Sequence, residues 1–250
     1  MRAEKTDMSK IIRLKKGFEI NLAGSPERTL EEIEQPETFA IKPTDFPGIL
    51  RPKVAVEVGD VVKAGSLLLF DKKNKHIRIT APVSGEIVEV LRGDKRKLIH
   101  IKILADKELQ YESFKEYSVS DINNLSADEA IKEIVDSGLW ANFIQRPFGN
   151  IANPEDRPKS IFISGFDSAP LAANIGFTLK GEEKYFQAGI DVLNRIVPAN
   201  INLGLDADEE VPSVFSQIKQ LNVNKFSGPH PAGNVGIQIH HVDPINKGDV

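Results

Sequence analysis

The stretch that most limits the fold is "RPKVAVEVGDVVKAGSLLLFDKKNKHIRITAPVSGEIVEVLRGDKRKLIHIKI", residues 51–103, where apolar residues fall on every second position and Gly or Pro interrupts each short run. Val54, Val56 and Val58 alternate, then Ile77 and Ile79, then Ile87, Val88 and Val90, then Ile99, Ile101 and Ile103. A period of two puts successive side chains on opposite faces of a strand, so this pattern predicts a small all-β unit around one core. The turns at Gly59-Asp60, Ala64-Gly65 and Ser84-Gly85 divide the run into two similar hooks of chain. No helix is needed before about residue 112.

That arrangement resembles the barrel-sandwich hybrid of lipoyl and biotinyl carrier domains. In those domains the modified lysine sits on the exposed turn between the hooks. Counting seven residues back from Ala81 of the "AP" turn lands on Asn74, with Lys72, Lys73 and Lys75 beside it. An amide cannot carry the cofactor, so the module reads as a scaffold with a solvated basic turn.

A helical period takes over after about residue 125. "LSADEAIKEIVDSGLW" places Ser126 as a cap, Glu129 as its capping-box partner, Ile131, Ile134 and Val135 on one face, and Gly138 as a stop. Next come a strand "SIFISGF" (160–166), the helix "EEKYFQAGIDVLNRIV", a strand "INLGL" (201–205), a helix "VPSVFSQIKQL" (211–221) and a strand "VNKF" (223–226). The order β-α-β-α-β predicts a parallel, Rossmann-like sheet with its crevice at the carboxyl ends of the strands. The turn after its first strand, "GFDSAPLAANIGF", carries neither G-x-G-x-x-G nor G-x-x-x-x-G-K-[ST], so no nucleotide fingerprint is present. The overall expectation is an α/β (α+β) chain: a polar tail 1–9, an all-β barrel-sandwich hybrid 10–105, a linker 106–124 and a Rossmann-like α/β domain 125–250.

Composition narrows the function classes. With no cysteine, this chain has no disulfide, thiolate nucleophile, zinc ribbon or protein-held iron–sulfur cluster. A net charge of -4 argues against a nucleic-acid surface, and no apolar run nears the roughly 18 residues of a membrane span. "MRAEKTDMSK" lacks the apolar centre of a secretory signal, which makes the cytoplasm the default compartment.

Taken in order, "IRLKKGFEINLAGSP", "RPKVAVEVGDVVKAGSLLLFDKKN", "TAPVSGEIVEVLRGDKR", "VDSGLWANFIQRPF", "SGFDSAPLAAN" and "FSGPHPAGNVGIQIHHVDPIN" resemble the A-subunit of the sodium-translocating NADH:quinone reductase. The resemblance covers nearly the whole chain after Met8. Family members continue into further domains, so the chain reads as their amino-terminal part. The resemblance implies a component of a complex that couples NADH oxidation and quinone reduction to sodium export. It also implies the other subunits as partners and a peripheral place on the cytoplasmic side of the bacterial inner membrane. NADH, flavins and iron–sulfur centres are then expected on other subunits, with no tightly held cofactor and no metal here. The architecture is also similar to the flavin-binding subunit of respiratory complex I.

In those flavin-binding relatives a glycine-rich loop cradles the flavin phosphate at the place matched by Ser137 to Phe148. Only Ser137 and Gly138 keep its character, and an eroded cradle is the expectation. Trp140, Phe143, Ile144, Arg146 and Phe148 now stand there, with two readings open. They line a quinone-head contact, aromatic faces stacking and Arg146 or Gln145 donating to a carbonyl, or they plug the old cavity or touch a neighbouring subunit. The turn "KPTDFPGILRP", with Phe46, Ile49 and Leu50, is a second candidate. His230, in the Pro-His-Pro turn, is a loop histidine or a proton donor to reduced quinone, and His240 and His241 are expected on opposite faces of a strand. No catalytic residue is assigned. The alternatives in other classes are a pure assembly scaffold and a lipoyl or biotin carrier.

Overall fold

The computed structural model describes residues 10–24 and 26–250. The polar tail expected at 1–9 lies outside the described residues. The strands of the first half are β1 (Lys10–Arg13), β2 (Thr38–Ile41), β3 (Pro52–Val54), β4 (Val61–Val62), β5 (Leu67–Asp71), β6 (Arg78–Thr80), β7 (Gly85–Arg92) and β8 (Leu98–Ala105). Then follow α1 (Val119–Asn124), α2 (Ala127–Asp136), β9 (Ile144–Gln145), β10 (Asn150–Ile151), β11 (Ile161–Ser164), α3 (Ile175–Thr178) and α4 (Glu183–Ile196). The chain closes with β12 (Ile201–Asp206), α5 (Ser213–Ser216), β13 (Asn222–Ser227) and α6 (Val235–Val242). It forms two compact units, and neither is a single run of sequence.

The β-rich unit comprises residues 31–118 and 127–157. An antiparallel sheet ordered β2-β8-β7-β4 and a second ordered β3-β5-β6 enclose Leu68, Leu69, Ile79, Ile87, Ile101 and Ile103. The alternation therefore does what period two requires, with three exceptions, one of them Val88, which is exposed where the β7–β8 register shifts between Ile87 and Glu89. Ile99 is exposed while Leu98 is buried, because the β7–β8 register shifts between Leu91 and Arg92. Val58 is exposed because it lies beyond β3, next to the Gly59-Asp60 turn. Gly85 is a necessity of the pairing: a Cβ there would lie 1.9 Å from the Leu104 carbonyl oxygen. Helix α2 belongs to this unit, not to the parallel sheet. Arg78 of β6 pairs with Asp136 at 2.8 Å, and Tyr117 Oη donates to Glu133 at 2.9 Å.

The α/β unit comprises, among the described residues, 10–24, 26–30, 119–126 and 158–250. Its sheet is parallel throughout in the order β1-β13-β12-β11. Strand β1, expected in the all-β unit, is the added edge: Lys10 to Arg13 pair with Asn224 to Ser227. A parallel pairing more than 200 residues apart leaves no trace in local periodicity. Leu203, Leu205, Val214 and Phe215 form the buried cluster under Phe186 of α4.

Two expected elements differ. The helix expected over 211–221 is cut to Ser213–Ser216. Beyond it Gln187 Oε1 accepts from Lys219 N and Asn194 Nδ2 donates to the Gln220 carbonyl, tertiary bonds that take up backbone groups a longer helix would use itself. The strand expected at "IQIHHV" is helix α6. Asn234 caps it by accepting from Gly236 N at 2.9 Å, and a run this short fits either period. His240 and His241 are thus successive helical residues with rings 5.1 Å apart, not on opposite faces of a strand.

Candidate functional site

The loop after α2 is built around Gly138. Its φ of 78° is left-handed, and a Cβ there would meet Thr80 Cγ2 at 2.6 Å and Oγ1 at 2.7 Å. Glycine is retained for helix termination and for packing on β6, with no anion needed to explain it. Ser137 Oγ donates to the Ile134 carbonyl at 3.0 Å, closing the helix end. The chain then makes a 3₁₀ turn, Leu139–Asn142, and a two-stranded hairpin, β9–β10.

An anion cradle needs backbone N–H groups that converge on empty space. Here five of them are spent at the helix end and within the loop: Ser137 N on Glu133 O, Gly138 N on Val135 O, Phe143 N on Trp140 O, Gly149 N on Gln145 O and Ala152 N on Phe143 O. Trp140 is 4% exposed, its Nε1 donates to the Ala152 carbonyl at 2.8 Å, and its ring stacks on Phe143 at 4.9 Å between centroids. A ring held this way has neither an open face nor a free donor.

Two other apolar residues of the loop face outward. Ile144 and Phe148 are exposed, Phe148 at 77% on the hairpin tip. Arg146 is half-buried, and its Nε is fully buried without a hydrogen-bond partner among the described residues. Of the second candidate turn, Ile49 is buried, Phe46 half-buried and Leu50 76% exposed. The two candidate loops, separated by about 100 positions in the chain, are neighbours. Ile151 N donates to the Pro47 carbonyl at 2.9 Å, and a Cβ on Gly48 would sit 3.1 Å from Asn150 Cβ.

The carrier-like turn lies between β5 and β6. Lys72, Lys73 and Lys75 are exposed, whereas Asn74 is anchored: its Nδ2 donates to Asn153 Oδ1 at 2.8 Å and its Oδ1 accepts from His76 N at 3.1 Å. Position 74 thus holds the hairpin in place.

In the α/β unit a cleft of about 520 Å³ opens at the carboxyl ends of β11 and β12. Phe166, Asp167, Asn174, Asp206, Glu209 and Arg28 are among its walls. Burial raises the pKa of the Asp206 carboxyl above its ordinary value, against the Asp208 N–H that hydrogen-bonds it and with the negative charges of Asp208 and Glu209 adding to the rise. Arg28 offsets part of that charge through Glu209 at 3.7 Å. Such a wall repels phosphate, in keeping with the missing fingerprint. The strand order marked this crevice in advance, but nothing marked the segment Pro26–Leu30 as one of its walls, because that contact is made only by the tertiary fold. His230 lies in this unit, away from the loop residues in sequence, and its Nδ1 is 3.1 Å from Ser168 Oγ, which accepts from Gly233 N at 2.8 Å. The pair fastens the turn after β13 to the loop after β11. Among the described residues no group of three or more His, Cys, Asp or Glu could hold a metal ion.

Comparison with known proteins divides the chain into two continuous stretches, which cut across the two discontinuous units. Residues 12–106 match the family model described as the NqrA N-terminal barrel-sandwich hybrid domain, and residues 125–250 the NqrA second alpha/beta domain. The chain is 35% identical over 236 residues to the Na(+)-translocating NADH-quinone reductase A-subunit of Alcanivorax borkumensis, covering 94% of this chain and 52% of that protein. It is 35% identical over 240 residues to the corresponding protein of Glaesserella parasuis, and 36% identical over 239 residues to that of Actinobacillus pleuropneumoniae, with the same coverage. The chain spans about half the length of the curated relatives it matches. No helix among the described residues is long and apolar enough to cross a membrane.

Proposed function

From a chain that belongs to the family of the Na(+)-translocating NADH-quinone reductase A-subunits, we propose a module that assembles the reductase and carries no tightly bound cofactor itself. The parent complex oxidises NADH, reduces quinone and exports sodium. NADH, flavin and iron–sulfur chemistry reside on the other subunits, and this module sits peripherally on the cytoplasmic side of the membrane. One observation carries the reading: the loop in the position of a flavin-phosphate cradle has its space filled by the buried Trp140 stacked on Phe143, with the N–H groups of Gly138, Phe143 and Gly149 bonded internally. Beside the plug, Phe148 and Leu50 present apolar surface on two hydrogen-bonded loops. Exposed anchors of this kind are what an interface buries.

The test is Phe148→Asp combined with Leu50→Asp in the assembled reductase. The expected result is an unchanged melting temperature of the module with recovery of the other subunits reduced at least about tenfold, since an interfacial anchor is worth about 2 kcal/mol or more. Full assembly of the double variant would overturn it. A second reading, quinone contact at the same edge, is favoured by the unpartnered buried Arg146 Nε, a donor suited to a carbonyl oxygen. It predicts instead that Arg146→Lys assembles normally and raises the KM for quinone.

A further inference from the structure

The segment that follows β1 in the α/β unit carries an alternating apolar strip that the described residues leave uncovered. Leu14 N donates to the Ser227 carbonyl and Phe18 N to the His230 carbonyl, both at 2.9 Å, so the chain after β1 follows β13 and its continuation. Gly17 fixes the crossing, for a Cβ there would stand 2.2 Å from the His230 oxygen. The sequence then reads Phe-Glu-Ile-Asn-Leu, residues 18 to 22, apolar at every second position. That is strand period with strand-favouring residues. Yet Phe18 is 87%, Ile20 66% and Leu22 50% exposed, and among the described residues the N–H groups of Glu19 to Leu22 make no hydrogen bond.

Burying such side chains is favourable, so three in alternation along a segment pinned at Phe18 mark a surface that something covers. The relatives supply the occupant. The two domains matched here are the family's N-terminal and second ones, and the alignment of this chain with a relative covers 52% of that protein, which leaves the rest of the relative outside the match. We propose that residues 18–22 are a strand-addition site occupied by the carboxyl-terminal half of the full-length A-subunit. That half supplies an apolar strand edge that takes the free main-chain groups and covers Phe18, Ile20 and Leu22.

The test is hydrogen exchange at the amides of Glu19 to Leu22. It compares the 250-residue chain with a full-length chimera in which this chain replaces the matched half of the Alcanivorax borkumensis protein. Exchange is expected to be fast in the chain alone and at least ~100-fold slower in the chimera, as for a strand inside a cooperative unit. Equal exchange in both overturns the proposal. So does protection of the chain alone that grows with its own concentration, which makes a second copy the occupant. Protection that appears only when other reductase subunits are added overturns it too. Ile20→Asp supplies a check that needs no chimera. In the 250-residue chain it is expected to move the melting temperature by less than about 2 °C, and a larger fall would show the strip to be part of this fold.

Discussion

Trp140 is the side chain on which the filled-loop account rests most heavily. Truncation to Ala removes a ring that buries roughly 150–250 Å² of surface, worth about 4–6 kcal/mol at about 25 cal per Å² as an upper bound. Core Trp→Ala changes cost roughly 3–5 kcal/mol, which is the loss expected here. Trp140→Phe keeps most of the stacking on Phe143 but strips the Ala152 carbonyl of its donor, and about 1–2 kcal/mol is expected. Trp140 is the only tryptophan, so the variants are followed by far-ultraviolet circular dichroism in urea. A whole domain is stable by only about 5–15 kcal/mol, so Trp140→Ala must shift the transition of the β-rich unit visibly. A cost under about 1 kcal/mol would refute the reasoning, because it would mean that the ring stands in an open cleft. The wild type gives a second reading of the same point: its emission is expected to be blue-shifted and shielded from iodide.

Gly138→Ala is expected to cost roughly 1–3 kcal/mol in the same urea assay, combining left-handed strain with the Thr80 clash. Adding Thr80→Ala is expected to recover only the part due to the clash. For Asp206 the sign runs through its raised pKa. The fold prefers the neutral acid, so the ionised form costs stability at every pH above the raised value, and the cost is gone below the ordinary carboxylate value of about 4. Asp206→Asn is therefore expected to raise the melting temperature at about pH 7, with the gain shrinking to nothing near about pH 4; a gain independent of pH would show another cause. Co-expression with lipoate and biotin ligases is expected to leave the intact mass unchanged, whereas an adduct on Lys72, Lys73 or Lys75 would revive the carrier alternative.

How much was legible in the sequence depended on whether the cause was local. Ile87, Ile101 and Ile103 are buried as their alternation requires, and Ile131 and Val135 lie on the buried face of α2 as their spacing requires. Ile99 escaped because a register shift is a property of two strands at once. β1 escaped because its partner, β13, lies at the far end of the chain. In α6 a short apolar run left the period undecided, and the cap at Asn234 resolves it. The loop at Trp140 to Phe148 was picked out in the sequence by its likeness to a glycine-rich cradle whose later glycines it lacks. Which of those side chains point inward was not, because it depends on the Ala152 carbonyl and on Phe143, partners brought together by the β9–β10 hairpin. The nearness of Leu50's turn to the same hairpin was equally invisible, since one backbone bond from Ile151 to Pro47 joins two segments with no shared pattern.

The measurement that tests the account most directly is equilibrium dialysis of flavin mononucleotide against the purified chain. The account predicts no saturable binding, because the loop after Gly138 is closed by the buried Trp140 ring stacked on Phe143, and the N–H groups of Gly138, Phe143 and Gly149 are already bonded. Stoichiometric binding that is lost on Gly138→Ala would contradict it, since the loop would then still be a working cradle.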